Sequence, residues 1–108
     1  MENMMTFDDF MEMEIKVGKV VSAERVEGAD KLLKLKVNTG EERQLVAGIA
    51  ESYQPEELEG KEIVVITNLE PKQIRGVESQ GMLLAADVGG KPVLLAPDKE
   101  VPEGTRVR

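Results

Sequence analysis

The sequence predicts a mainly-β domain, a small barrel with two short helices, on three observations. LLKLKVN at 32–38 alternates apolar and cationic side chains with a period of two. Clusters of Gly, Pro, Asn and Asp recur between short apolar runs. Helical signals appear only in short segments, near 6–12 and 55–60.

The elements follow in order. Thr6 with Asp9 predicts a capping box, and Phe7, Phe10 and Met11 fall on one helical face, so 6–12 reads as an amphipathic helix expected to plug or pack against a sheet. From Ile15 the pattern becomes strand-like, and residues 14–26 read as one long strand that Gly18 would bend through a bulge. EGAD predicts a turn. In the next strand Leu33, Leu35 and Val37 point inward, and Lys34 and Lys36 outward. NTGEE turns the chain into a third strand, RQLVAGIA. PEELEG, with Pro first, acids in the opening turn and Gly60 last, predicts a helix of one or two turns. KEIVVIT is the fourth strand, NLEPKQIRGVES a long loop, and QGMLLAAD the fifth strand.

Three strands, a helix and two more strands is the order of the OB-fold. In that five-stranded barrel, ligands lie on the face of strands 2 and 3, between the 1–2 and 4–5 loops. The expected organisation is one domain over 1–108: an N-terminal helix region at 1–13, the barrel at 14–88 and a C-terminal extension at 89–108. The extension carries an apolar run, Val93 to Ala96, that calls for covering by a second copy.

Composition narrows the function. The absence of His and Cys removes the ligands of most structural zinc sites and the commonest general base; the 21 Asp and Glu leave a carboxylate acid/base pair open on composition but read as a solvated acidic surface, and no metal, cofactor or catalytic residue is expected. The chain lacks a long apolar run and opens on the acidic MENMMTFDDFMEME, which predicts a cytoplasmic protein without membrane attachment. A net charge of -7 argues against nucleic-acid binding at first sight. Its distribution argues the other way. Residues 1–14 hold five acids and no base, whereas 15–36 hold six bases (Lys16, Lys19, Arg25, Lys31, Lys34, Lys36) against three acids. Lys72 and Arg75 occupy the 4–5 loop between Pro71 and Gly76, with no acid at 71–77. Charges beyond a Debye length of roughly 8–10 Å are screened, so distant acids do not cancel these cations.

Arg75 offers a planar fork suited to phosphate, and Lys72 a mobile point charge. Asn68 and Ser79 stand at the two ends of the loop, where either could also close it by bonding to backbone. Met82 offers an apolar surface to a base, or a core residue. The aromatics are Phe7, Phe10 and Tyr53, none on the binding strands, so recognition through backbone and shape is expected rather than base stacking. GGK at 89–91 lacks the spacing of a phosphate loop.

Four stretches in order, DDFMEMEIKVGKV, ADKLLKLKV, YQPEELEGK and NLEPKQIRGVESQGMLLAA, closely resemble the tRNA-binding domain appended to many methionyl-tRNA synthetases. Similar domains occur as free-standing tRNA-binding proteins and at the end of a cytokine precursor. The resemblance implies an OB-fold that binds tRNA without sequence specificity, forms a homodimer and raises the tRNA affinity of its synthetase. Carried over by motif, it implies tRNA-binding roles for Lys31 of ADKL, Asn68, Lys72, Arg75, Ser79 and Met82. Where many members carry His-Pro before ADKL, this chain has VEGAD. A dimeric export chaperone of the same fold, which binds peptides, is the alternative that the resemblance leaves open.

Overall fold

One strand of twelve residues, β1 (Ile15–Val26), runs through both halves of the sheet. Its first part, 15–19, pairs antiparallel with β4 (Glu62–Ile66), and its second, 19–26, with β2 (Ala29–Asn38). The computed structural model describes residues 3–108; Met1 and Glu2, part of the expected N-terminal helix region, lie outside the described residues. The remaining ladder is β3 (Glu42–Ala47) on β2 and β7 (Met82–Leu83) on β4, giving the order β3-β2-β1-β4-β7.

The bulge in β1 is not where the sequence suggests it. Gly18 keeps regular register opposite Ile63; the register on β2 shifts between Val20 and Ser22, where Val21 is half exposed, and again between Arg25 and Val26. Gly18 is required for a different reason: a Cβ there would lie 2.5 Å from Val37 Cγ1 and 2.8 Å from Thr39 Cγ2. The side chains of Val37 and Thr39 therefore pack directly over the Gly18 backbone, in space that a side chain at 18 would take.

The alternation in β2 appears as expected, with Leu33, Leu35 and Val37 fully buried. β3 ends at Ala47, earlier than the apolar run suggests, because Ile49 and Ala50 stay buried outside the ladder. Helix α2 (Pro55–Leu58) begins on Pro and has Glu56 and Glu57 in its first turn. Its Leu58 is fully buried in the core beside Val20 and Ile63, a burial that contributes about 1.5–3 kcal/mol.

The N-terminal helix α1 (Phe7–Glu12) has the expected capping box, Asp9 N–H donating to Thr6 Oγ1 at 3.0 Å. It does not plug the barrel, since none of its residues is buried and Phe7 is 86% exposed. α2 takes the core position, and polar bonds hold α1. Arg106 Nη2 donates to the carbonyls of Met11 and Met13, and Asn68 Nδ2 to that of Glu12.

Two further expectations change. The long 4–5 loop is itself a hairpin, β5 (Lys72–Ile74) on β6 (Val77–Ser79). The fifth strand is divided: β7 stays in the barrel, while β8 (Ala85–Val88) pairs with β9 (Lys91–Leu94) of the C-terminal extension. That extension then returns to the sheet as β10 (Arg106–Val107), paired with Ile15 and Lys16 of β1. A two-residue strand has no periodicity to read in a sequence. Among the described residues no helix is long and apolar enough to cross a membrane.

Gly18→Ala is expected to lower the free energy of unfolding by about 1–3 kcal/mol, through overpacking against Val37 and Thr39. Val21→Ala, at the exposed bulge, is expected to stay within about 0.5 kcal/mol. Urea unfolding of both variants measures the difference, and equal stability would place the close approach elsewhere.

Candidate nucleic-acid interface

The β5–β6 arm turns on Arg75 and Gly76, at φ of 53° and 79°. Two successive left-handed residues make the tight turn that suits the twist of a hairpin, and Asn-Gly is its favoured sequence. Arg75 is the one non-glycine with positive φ among the described residues. An arginine there costs on the order of 1–2 kcal/mol, so the tip carries a long cation against local backbone preference.

Opposite this tip lies the turn from β1 into β2. Residues 28–32 form one wall and Ile74 and Arg75 the other of an open groove of about 460 Å³. Lys31, near the start of β2, and Arg75, at the tip of the arm, thus line one cleft, which Asp30 also lines. Both are exposed, and among the described residues neither has a carboxylate within ion-pair distance. Lys72, at the start of β5, is exposed and equally unpaired.

The other expected cations are placed differently. Lys34 pairs with Glu24 at 2.7 Å and Lys36 with Glu42 at 3.8 Å, while Lys16 and Lys19 reach Glu14 and Glu100. Charge counted along the chain does not show which acid meets which base: Glu24 and Glu42 come from the strands on either side of β2, and Glu24 is directly opposite Lys34 in the ladder. The hydrogen bond and charge of Lys34 hold the Glu24 carboxyl below its usual range.

Asn68, Ser79 and Met82 serve the fold. Asn68 Oδ1 accepts from Glu14 N–H at 2.8 Å while its amide donates to Glu12 O. Ser79 is 2% exposed; its hydroxyl accepts from Val46 N–H at 3.0 Å and donates to Gly81 O at 2.9 Å. Both side chains close the loop by bonding to backbone, the other role their positions allow. Met82 is half-buried against the core.

These bonds seal the barrel. Between β3 and residues 78–80 one backbone bond forms, Gln80 N–H to Gln44 O at 2.7 Å, and side chains supply the rest. Gln44 N–H donates to Gln80 Oε1, Gln44 Nε2 to Glu78 O, and Val46 N–H to Ser79.

Arg43 is the residue the sequence reading missed. It occupies an inward position of β3, in phase with Leu45 and Ala47, and its side chain is 13% exposed. Nε donates to Thr39 Oγ1, Nη2 to Glu41 Oε1, and Nη1 to the carbonyls of Thr67 at 3.2 Å and Gln80 at 2.7 Å. A cation in the apolar phase of RQLVA was the signal that could have found it.

The model of a family described as "Putative tRNA binding domain" matches residues 15–106. The chain belongs to the tRNA-binding domain family. A methionine–tRNA ligase of Methanothrix thermoacetophila is 60% identical over 102 residues, covering 94% of this chain and 15% of the ligase, so the domain spans a small part of that enzyme's length. A MetRS related protein from Pyrococcus horikoshii superposes with a TM-score of 0.92 at 46% identity, covering 98% of this chain and 99% of that one. The chaperone CsaA from Bacillus anthracis superposes with a TM-score of 0.89 at 32% identity, over 97% and 99% of the two chains.

At the base of the arm, Glu14 Oε1 accepts from Thr67 Oγ1 at 2.7 Å and lies 3.4 Å from Lys16 Nζ. The Thr67 hydrogen bond, then Lys16, lowers the Glu14 pKa from its ordinary 4.5. A depressed carboxyl pKa contributes stability that is present above the unfolded value and lost as pH falls through the folded one. The tRNA-binding domain is therefore expected to lose stability below pH 4.5, and Glu14→Gln to lose less. Urea midpoints across that range test this, and identical slopes for the two proteins would refute it.

Proposed function

We propose that this domain holds folded tRNA in the groove between residues 28–32 and the tip of the β5–β6 arm, and serves as an accessory module or subunit of methionyl-tRNA synthetase. The observation that carries the reading is Lys31 and Arg75 lining one cleft with, among the described residues, no carboxylate within ion-pair distance of either, on an otherwise acidic chain. Lys72 adds a third cation along the arm. No aromatic residue lines the groove, which favours contacts to phosphate and sugar over base stacking. Lys34 and Lys36 join by exchanging Glu24 and Glu42 for phosphates, since an exposed ion pair is worth only about 0–1 kcal/mol. Asn68, Ser79 and Met82 act by holding the arm and barrel. The module works in the cytoplasm, has no catalysis of its own and needs no metal or cofactor.

The likeness to a chaperone keeps peptide binding as the second reading. Anisotropy titrations with total tRNA, random single-stranded DNA and an unfolded peptide separate the two. The expected result is micromolar-range binding to tRNA, weaker binding to the others, and a log–log salt slope of a few units, about one for each phosphate neutralised. Arg75→Asn suits the turn better than arginine, so it should leave the melting temperature unchanged or higher while tRNA affinity falls about tenfold. Lys91→Ala, outside the groove, should bind as the wild type. Tighter binding to the peptide, or full tRNA affinity in Arg75→Asn, refutes the reading.

The exposed Phe7 and Met11 of α1 and Val88, Val93 and Leu95 of the β8–β9 hairpin and its end support a homodimer that covers them. Sedimentation equilibrium is expected to give twice the chain mass at micromolar protein; a monomer there would dismiss the dimer.

A further inference from the structure

We infer that Arg43 is the positioning residue of the RNA-binding arm: it clasps both ends of the arm with one nitrogen and so sets where Arg75 stands over the groove. The inference rests on the proposed function. Thr67 follows the end of β4 and opens the segment that leads into the arm, Gln80 is the first residue after the arm, and Nη1 of Arg43 bonds the carbonyls of both. The arm itself consists of two three-residue strands, too short to hold an orientation unaided. Direction must therefore come from its base.

The rest of the base supports the same conclusion. The second end is sewn to β3 through Glu78, Ser79 and Gln80, and the first to the N-terminal segment through Thr67 and Asn68. Those two attachments belong to different parts of the chain, and Arg43 joins them. Its other donors reach Thr39 and Glu41 in the β2–β3 turn, so the guanidinium is itself held in place. Leverage makes the position matter. Arg75 lies five residues from Gln80, about 15 Å of extended chain, so a tilt of about 10° at the base carries the tip by nearly 3 Å. A shift of that size separates a charge-assisted hydrogen bond from its phosphate.

The test is a double-mutant cycle on the full chain, with tRNA affinity measured at a temperature where circular dichroism shows each variant fully folded. Arg43→Met is expected to lose about tenfold in affinity, and Arg43→Met with Arg75→Asn no more than about twofold beyond Arg75→Asn alone, because a misplaced and a missing arginine forfeit the same contact. Arg43→Lys, which keeps the charge but not the fork, is expected to lose about threefold. Should Arg43→Met not fold, Arg43→Lys carries the same cycle. A purely structural Arg43 would lower the melting temperature and leave affinity per folded molecule at the wild-type value, which overturns the inference while Arg75→Asn still loses binding. Fully additive losses overturn it as well, since they would mean that Arg43 acts apart from Arg75. Full affinity in Arg75→Asn removes the proposed function and this inference with it.

Discussion

A guanidinium placed in the apolar phase of β3 has to find partners inside the fold, because leaving its donors unmet while shielded from water would cost several kcal/mol. Arg43 meets that demand with carbonyls and oxygens from three places: the β2–β3 turn, the end of β4 and the start of the segment leading into β7. Satisfying one buried cation thus brings together strands that have no continuous ladder between them. The barrel closes at this seam, where Gln44, Ser79 and Gln80 replace missing backbone bonds with side-chain ones. The β5–β6 arm stands on the same seam.

The charge of the chain is organised by that architecture. Strand pairing sets Glu24 opposite Lys34 and brings Glu42, diagonal to Lys36, within its reach, so each of these two cations of β2 meets an acid. Lys31 lies near the start of β2, and Lys72 and Arg75 on the β5–β6 arm. Exposed cations attract phosphate locally even on a domain of acidic net charge, because charges beyond a Debye length are screened. A net charge of -7 and an affinity for RNA are compatible on that arrangement.

The C-terminal extension shows how much depends on short pairings. β10 has two residues, yet it covers the start of β1 and, through Arg106, fastens the backbone at the end of α1. Gly104 approaches Thr39 O and Gly40 within 3.0–3.2 Å of where a Cβ would be, which brings the extension against the β2–β3 turn. The apolar side chains of α1 and of the β8–β9 hairpin are left facing outward, while Tyr53 secures β9 by accepting from Leu94 N–H.

The sequence by itself determined the features that local chemistry encodes. The period of two in LLKLKVN placed Leu33, Leu35 and Val37 in the core; Thr6 and Asp9 made the capping box; Pro55 and Gly60 bounded α2; and the strand order indicated the barrel. Motif resemblance added the family and pointed to Lys31 and Arg75. Tertiary structure alone decided the use of each polar side chain, because a hydrogen-bond partner tens of residues away leaves no trace in local periodicity. Asn68 and Ser79 read in the sequence as ligand contacts or loop closures, and only the fold supplies the backbone partners, Glu12, Glu14, Val46 and Gly81, that make the closures. Gly18 read as a bend until Val37 and Thr39 came to lie over it. Arg43, the residue that joins the base of the arm to the barrel, is one cation among fourteen basic residues until the sheet curls and turns it inward.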